Sequence, residues 1–439
     1  MRPMNWEDKL NRAIHRYIVV HQDKIISFAR ELLRIPSVNQ PPYGEEKQAQ
    51  EFLAAELSAL GFKPDLYNLN EVVGLTEHCA YYEGGSVEVA RDYHDRPNLT
   101  CRWPGQGSGR SLIVAAHVDV VSPGDLRLWA SGPWDATWRD GHIIGRGAVD
   151  DKGALAAMVM AVACLRDLDL SLQGDLILQS FIDEEYGGGN GALANLVRGY
   201  RADGVIMMEP TDLAICPVTY GCQSLKIRLR GQAAHAIEAW KGVNVIGLAC
   251  QVYNSFLALE TKRGEQCRNV PLFGELKVPL PLSVRHFQAL TLGSGTVPDL
   301  GEMQVWLTTY PGETQETLLA SVREHLRQDL DSPWLQDHPP EVHPLGRFLD
   351  ATSLSVDHPL VTAAVTAYGA AFGRPPKITV GTSGDGYIYA RYGGMPTIEF
   401  GPGPVFRAHA PNEYITVEEL VAATELLAAT IVRWCGVAE

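Results

Sequence analysis

The sequence has no uninterrupted apolar run that is long enough to cross a membrane as a helix. Its first residues, MRPMNWEDKLNRAIHRYIVV, contain no apolar stretch of the kind found in secretory signal peptides. The eight cysteines are scattered and include no Cys-x-x-Cys pair, which favours reduced thiols over a disulfide framework. These absences predict a cytoplasmic protein that has no membrane as its partner.

Basic residues are few relative to acidic ones. Lys and Arg total 37 against 52 Asp and Glu, so the formal net charge is −15. This balance argues against non-specific binding to nucleic acid or to anionic membranes. The chain has 439 residues, of which 46% are hydrophobic and 20% charged, which is typical of a globular protein. Its length favours two domains.

The hydrophobic pattern predicts helices and strands that alternate in the first and last parts of the chain. Helical spacing of apolar residues predicts a helix over 6–34, ended by Pro36, and a second over about 44–60. The further elements predicted are strands 112–116, 175–182, 204–208 and 396–400 and helices 153–167, 192–199, 358–372 and 417–434. This alternation indicates an α/β fold with a mostly parallel sheet flanked by helices.

Near residue 217 the pattern changes. The segment QSLKIRLRG alternates like a half-exposed strand, and the following elements read β-α-β-β-α, which predicts a two-layer α+β domain. From residue 341 the chain returns to α/β character. We therefore predict a discontinuous catalytic, metal-binding domain formed by residues 1–216 and 341–439. Residues 217–340 are predicted to form an inserted lid domain.

Histidine and acidic residues follow the predicted strands. His117 and Asp119 come directly after strand 112–116, and their spacing places both side chains on one face. A carboxylate at that position can hold one imidazole nitrogen and leave the other free for a metal. Four more such sites lie at or soon after a strand end or at a loop-to-helix junction: Asp150, Asp183-Glu184-Glu185, Glu209 and His409.

Because the carboxyl ends of parallel strands meet at one edge of a sheet, we expect these groups to converge. Two imidazoles and several carboxylates suit Zn²⁺ or a similar divalent ion, and carboxylates that lie close together would repel one another without a cation. Each residue alone has an ordinary alternative, since a lone histidine is often structural and a charged loop residue is usually solvated. Five such sites in one chain favour the metal interpretation.

The motifs AAHVDVV, GRGAVDDKG, DEE, MEP and HAPNE occur in this order. Together they resemble the dinuclear zinc amidohydrolase and peptidase family, which includes acetylornithine deacetylase, succinyl-diaminopimelate desuccinylase, aminoacylase and carboxypeptidase G. The resemblance implies two divalent metal ions, with zinc expected and cobalt or manganese possible. His117, Asp150 and Glu209 would bind one ion, and Asp150 would bridge to a second, which Glu185 and His409 also hold. Asp119 would orient His117, and Glu184 would be the general base.

This interpretation predicts hydrolysis of an N-acyl amide bond of a small molecule, of the deacetylase or desuccinylase type. Two neighbouring metal ions can activate a water and polarise the scissile carbonyl, while Glu184 takes the proton of the water and passes it to the leaving nitrogen. Two alternatives remain open. One is a dipeptidase or carboxypeptidase of the same family, and the other is a non-catalytic metal-binding relative that keeps the fold.

The resemblance also implies a lid histidine that stabilises the oxyanion, often across a dimer formed through the lid domain. The segment GQAAHAIEAWKGVNVI makes His235 the candidate for that role, and an ordinary surface histidine is the alternative. The chain departs from many relatives at Tyr387, where an Arg would grip a substrate carboxylate. Because a Tyr hydroxyl cannot form the bidentate fork of an Arg, Tyr387 and Trp240 favour a flatter or less anionic amide. Arg285 and Arg391 are the alternative candidates for the contact with a substrate carboxylate.

Overall fold

The structure is a computed structural model that describes residues 6–84, 89–291 and 293–438. Its α-helices are α1 Trp6–Val20, α2 Gln22–Leu33, α3 Lys47–Ala59, α4 Lys152–Asp167, α5 Asn190–Val197, α6 Val245–Gln266, α7 Gln315–Asp329, α8 Pro333–Asp337, α9 Pro359–Phe372 and α10 Val417–Cys435. Its strands are β1 Asn39–Gln40, β2 Tyr43–Gly44, β3 Asp65–Asn68, β4 Pro97–Trp103, β5 Leu112–His117, β6 Thr137–Arg139, β7 His142–Ile144, β8 Leu176–Phe181, β9 Gly204–Met207, β10 Ile215–Thr219, β11 Gly221–Arg230, β12 Leu282–Leu290, β13 Leu300–Thr309, β14 Glu341–Leu349, β15 Ile378–Gly381, β16 Thr397–Glu399 and β17 Tyr414–Thr416.

The chain forms two compact units. One comprises the described residues up to Thr219 together with those from Thr352 onwards, and the other comprises Tyr220–Ala351. The second unit ends later than the predicted residue 340. The reason is that β14, which begins at Glu341, pairs along β11 in the sheet of the second unit and so belongs with it.

The first unit is built on an eight-stranded sheet in the order β15-β10-β16-β9-β5-β8-β4-β3. Its middle strands β16, β9, β5 and β8 are parallel neighbours, whereas β10 to β16, β8 to β4 and β4 to β3 are antiparallel. Every residue of β5, β8 and β9 is buried, so both faces of the sheet are covered. The predicted, mostly parallel α/β architecture is therefore confirmed.

The helices of this unit pack on the sheet and on one another. Helix α4 is buried from Lys152 to Leu165 and packs against α10, α2 and β5, while α10 also contacts α1 and α9. Helices α3 and α5 pack against the other end of the sheet, at β3, β4 and β8. The start of α4 lies close to the end of β5, since Asp150, two residues before α4, contacts His117, the last residue of β5.

The predicted single helix over residues 6–34 is wrong, because α1 and α2 are separate helices with His21 between them. The backbone of His21, at φ −104° and ψ 18°, leaves the helical range. Its Nδ1 lies 2.8 Å from the carbonyl oxygen of Tyr17, and the two rings stack 3.9 Å apart. The break occurs without a Gly or Pro, so the pattern of apolar residues gave no sign of it.

The second unit has a four-stranded antiparallel sheet in the order β12-β13-β11-β14. Apolar residues of these strands form one core with the inner faces of α6 and α7, and alternate residues along β11 are more exposed. This is the predicted two-layer α+β arrangement. Across both units, no helix of the described ranges combines the length and the apolar character needed to cross a membrane.

Candidate active site

His117 is the last residue of β5 and is fully buried. Its Nδ1 lies 2.9 Å from the backbone carbonyl oxygen of Asp119, an acceptor to which only a protonated Nδ1 can donate. The other ring nitrogen, Nε2, lies 3.0 Å from Oδ1 of Asp150. The ring is thus held with the nitrogen suited to a metal pointing at an aspartate.

Asp119 contacts His117 through its backbone and the turn of the two glutamates through its carboxylate. Its Oδ1 lies 3.7 Å from His117 Nδ1, so the backbone of Asp119, rather than its carboxylate, accepts the imidazole proton. The carboxylate accepts hydrogen bonds from the backbone N–H groups of Glu184 (3.2 Å) and Glu185 (3.1 Å) and from the amide of Asn39 (2.9 Å). Asp119 thereby fixes the turn that carries both glutamates.

His409 and Glu185 meet Asp150 from the other side. The Nε2 atom of His409 lies 2.8 Å from Oε2 of Glu185 and 3.3 Å from Oδ2 of Asp150. One ligand atom from each of His117, Asp150 and Glu185 falls within 4.8 Å of the others, which is compact enough to hold a metal ion. Asp150 therefore has one imidazole at each of its two oxygens, as a bridging ligand would require.

The charges of this cluster call for a cation. Burial opposes ionisation of Asp150, but hydrogen bonds and Coulombic attraction from His117 and His409 outweigh it and lower the pKa of the carboxyl. Burial also opposes protonation of His409, but Glu185 and Asp150 raise the pKa of that ring to about 11. The carboxylates therefore stabilise a positive charge between them, and the donor set of imidazole nitrogens and carboxylate oxygens fits Zn²⁺ and related divalent ions.

Glu184 and Glu209 supply further carboxylates, and Glu209 is buried whereas Glu184 is half-buried. Burial is the main cause that raises the pKa of each well above its usual value, and neighbouring acids add to the effect while His117 opposes it. Within the part of the chain that the structure describes, Oε1 of Glu209 has no hydrogen-bond partner. An orphaned buried carboxylate oxygen is costly, and a bound cation would satisfy it.

Gly384 lies between these two glutamates. A methyl group at this position would be 3.0 Å from Oε1 of Glu209 and 3.4 Å from Oε1 of Glu184, so the loop after β15 approaches both carboxylates closely because it has a glycine there. Thr382, two residues earlier, donates its backbone N–H to Oε2 of Glu399 (2.9 Å), which fastens this loop to β16. The sequence analysis did not single out Gly384 or Glu399.

The segment before β4 contacts the turn formed by Asp183, Glu184 and Glu185. The hydroxyl of Tyr93 donates to Oδ2 of Asp183 (2.6 Å), and Nε of Arg91 lies 3.3 Å from Oδ1 of the same side chain. Arg91 also donates to the carbonyl oxygen of Tyr186 (3.2 Å). Since Asp183 and Tyr186 flank Glu184 and Glu185, the contacts of Tyr93 and Arg91 hold both ends of the turn.

The remaining predicted residues lie in different settings. The Tyr387 side chain is only 2% exposed, and its ring lies 6.3 Å from that of Tyr392, so the ring is packed in the interior of the first unit. His235 belongs to the second unit, where it is exposed and its Nδ1 accepts the backbone N–H of Ile237 (3.2 Å). Trp240 in the same segment is 75% exposed. Arg285 lies over Trp306, also in the second unit.

Comparison with known proteins gives consistent findings. A sequence profile of peptidase family M20/M25/M40 matches residues 113–433. The N-formyl-4-amino-5-aminomethyl-2-methylpyrimidine deformylase of Bacillus subtilis is 26% identical over 452 aligned positions, which cover 97% of this chain and 97% of that protein.

Two solved structures share the fold. The dipeptidase Dug1p from Saccharomyces cerevisiae has a TM-score of 0.71 at 16% identity, with 98% of this chain and 99% of that chain covered. A dinuclear metal-binding peptidase of the M20 family from Bacillus subtilis has a TM-score of 0.60 at 16% identity, with coverage of 94% and 98%. Both similarities extend over the two units described above.

Proposed function

Because this chain belongs to peptidase family M20/M25/M40, we propose that it is a metal-dependent amidohydrolase that cleaves the C–N bond of an N-acyl amide. One observation carries the proposal. The ligand atoms of His117, Asp150 and Glu185 lie within 4.8 Å of one another, and the adjacent residue Glu184 supplies a half-buried carboxylate. An imidazole–carboxylate cluster next to a separate acid–base group is the arrangement that metal-assisted hydrolysis needs.

The proposed ligand set follows the contacts of the site. His117, Asp150 and Glu209 would hold one divalent ion, and Asp150, Glu185 and His409 would hold a second. The carboxylate of Asp150 between two imidazoles and the orphaned oxygen of Glu209 support this assignment. Zinc is the first choice, and cobalt or manganese can use the same ligands.

When bound, such ions polarise the scissile carbonyl and lower the pKa of water. The residues of the chain transfer the proton, position the catalytic groups and stabilise the oxyanion. Glu184 accepts the proton of the attacking water and returns it to the leaving nitrogen, which is general base and then general acid catalysis. Asp119 keeps Glu184 and Glu185 in place through their backbone N–H groups. His235 is proposed to donate a hydrogen bond to the developing oxyanion.

We further propose a deacylase that acts on an amide of a neutral or cationic amine, with a small acyl group such as formyl or acetyl. Two observations support this choice. Position 387 is Tyr, which lacks the paired donors that grip a carboxylate, and the relative from Bacillus subtilis is named as a deformylase of an aminomethylpyrimidine. The peptidase alternative requires recognition of a free carboxylate or amine of a peptide.

A substrate panel tests this specificity. It pairs N-formyl and N-acetyl amides of aromatic aminomethyl compounds with the same acyl groups on α-amino acids, and it includes dipeptides. We expect kcat/KM to be at least about tenfold higher for the amides without a carboxylate. The reason is that a substrate carboxylate that finds no charged partner in the site lacks a contact worth about 1.5–3 kcal/mol. A clear preference for the acyl-amino acids would overturn this specificity, and a preference for dipeptides would favour the peptidase alternative.

The proposed assembly is a homodimer formed through the second unit. Strand β12 lies at the edge of its sheet, where its backbone groups are available to another strand. On helix α6, Ile246, Tyr253 and Leu257 lie on one face and are 47%, 44% and 42% exposed. Apolar residues that remain exposed in this way on one helix are suited to a protein partner.

The double substitution Ile246→Glu and Leu257→Glu is expected to convert the dimer to a monomer of about 48.1 kDa, because two carboxylates would be buried in the interface. Light scattering after gel filtration measures the mass. Val20→Glu, which changes an exposed apolar residue of α1, is the matched control and should leave the mass unchanged. A wild-type chain that elutes as a monomer at micromolar concentration would refute the dimer.

The cytoplasm is the proposed location. All eight cysteines lie within the described ranges, no disulfide joins any of them, and six are buried, which suits a reducing compartment.

A further inference from the structure

Glu413 is a buried carboxylate that ends the HAPNE motif, four residues after His409. Its Oε1 accepts the backbone N–H groups of Val149 (2.9 Å) and Asp150 (3.1 Å), and its Oε2 accepts Nη1 of Arg146 (2.5 Å). Its backbone carbonyl accepts the N–H of Gly145 (2.9 Å). One residue therefore links the loop of His409 to the turn that presents Asp150.

The loop of His409 contains backbone conformations that contacts from other residues must stabilise. His409 is half-exposed and has a left-handed backbone conformation, at φ 61°, and Asn412 has one at φ 59°. Non-glycine residues adopt this region only at a cost, so the surroundings must hold them there. The Asn412 side chain accepts the N–H of Ala130 (2.7 Å) and donates to the carbonyl oxygen of Leu128 (2.9 Å). Glu413 provides the corresponding hold on the side of Asp150.

Arg146 fixes the position of the Glu413 carboxylate. Its side chain is buried beside Glu413 and lies over the ring of Trp129. A carboxylate buried without a counter-charge would be strongly unfavourable, so removal of either Glu413 or Arg146 leaves the other in an unfavourable position. The carboxylate touches none of the proposed ligand side chains directly, and it acts on two of them through the backbone.

We propose that Glu413, paired with Arg146, is a positioning residue that sets the separation of Asp150 and His409 and thereby the affinity of the site for its metal ions. This inference rests on the proposed ligand set. It requires that the backbone of Asp150 and the loop of His409 have fixed relative positions before a metal ion binds. Residues that orient metal ligands typically contribute 10–100-fold in metal affinity.

The test is Glu413→Gln, which keeps the shape and one carbonyl acceptor but removes the charge that faces Arg146. Zn²⁺ affinity is measured by competition with a chromophoric chelator, at a temperature at which circular dichroism shows both proteins fully folded. We expect about 10- to 100-fold weaker binding of the more weakly held ion. The absorption spectrum of bound Co²⁺ should also change, because the ligand geometry changes.

The matched control is Glu313→Gln in the second unit, where Glu313 forms a buried pair with Arg263 (2.6 Å). Both substitutions should lower the melting temperature, but only Glu413→Gln should weaken metal binding. Arg146→Lys, which keeps the charge but loses the planar donor, should weaken it in the same direction and serves if Glu413→Gln does not fold. Wild-type affinity in either folded variant overturns the positioning role alone, whereas a wild-type protein that binds no divalent ion overturns the proposed function as well.

Discussion

Replacement of Glu184 with glutamine is expected to lower kcat by about 10²- to 10⁴-fold while both metal ions stay bound. Glutamine has the size of glutamate but cannot accept a proton from water at neutral pH. The measurement is kcat on the best substrate of the panel, together with the metal-to-protein ratio from elemental analysis. Glu184→Ala should have an effect at least as large.

The structure separates this role from that of the neighbouring ligand. Glu185 lies 2.8 Å from His409, whereas Glu184 lies near Glu209 and Gly384. The backbone N–H groups of both glutamates bind the same Asp119 carboxylate. Removal of the Glu184 carboxylate therefore leaves the proposed ligands and the turn intact, which is why we expect metal content to survive.

Glu77→Gln serves as the control, since Glu77 is exposed and lies outside the site. If Glu184→Gln turns over substrate at the rate of the wild type, another group is the base. If the wild type binds two metal ions but hydrolyses no amide of the panel, the non-catalytic alternative gains support instead.

Removal of the metal ions should abolish hydrolysis and lower the melting temperature. Burial and neighbouring acids already raise the pKa values of Glu184, Glu209 and Asp151, so these carboxylates are unfavourable in the absence of positive charge. A ligand that binds only the folded chain stabilises it by about 4 kcal/mol at a free concentration 1,000 times its Kd. Loss of two such ions should shift the melting temperature by several degrees.

The measurement is activity and melting temperature after dialysis against a chelator and after re-addition of Zn²⁺, Co²⁺ or Mn²⁺. The chelator saturated with Zn²⁺, which cannot remove zinc from the protein, is the control for effects unrelated to metal removal. Asp150→Asn should reproduce much of the loss, because Asp150 contacts both imidazoles. Full activity in a protein whose metal content has fallen to a trace would refute the metal-dependent mechanism.

The sequence predicted the fold class because its signals are local. Alternation of strands such as β5 and β8 with helices such as α4 follows from hydrophobic period and length, and the structure confirms it. The same pattern missed the break at His21, which has no Gly or Pro and depends on contacts with Tyr17. It also placed the end of the inserted unit before β14, because strand pairing is not visible in a single segment.

The sequence by itself determined which residue types follow each strand, and the parallel strands β5 and β8 bring His117 and Glu185 towards one edge. Only the tertiary structure decided what each group contacts. Asp119 binds the turn of the two glutamates, and Glu413 binds the backbone of Asp150 from 263 residues away in sequence. The reason is that hydrogen bonds are directional and short, so partners distant in the chain are chosen only when packing has brought them within about 3 Å.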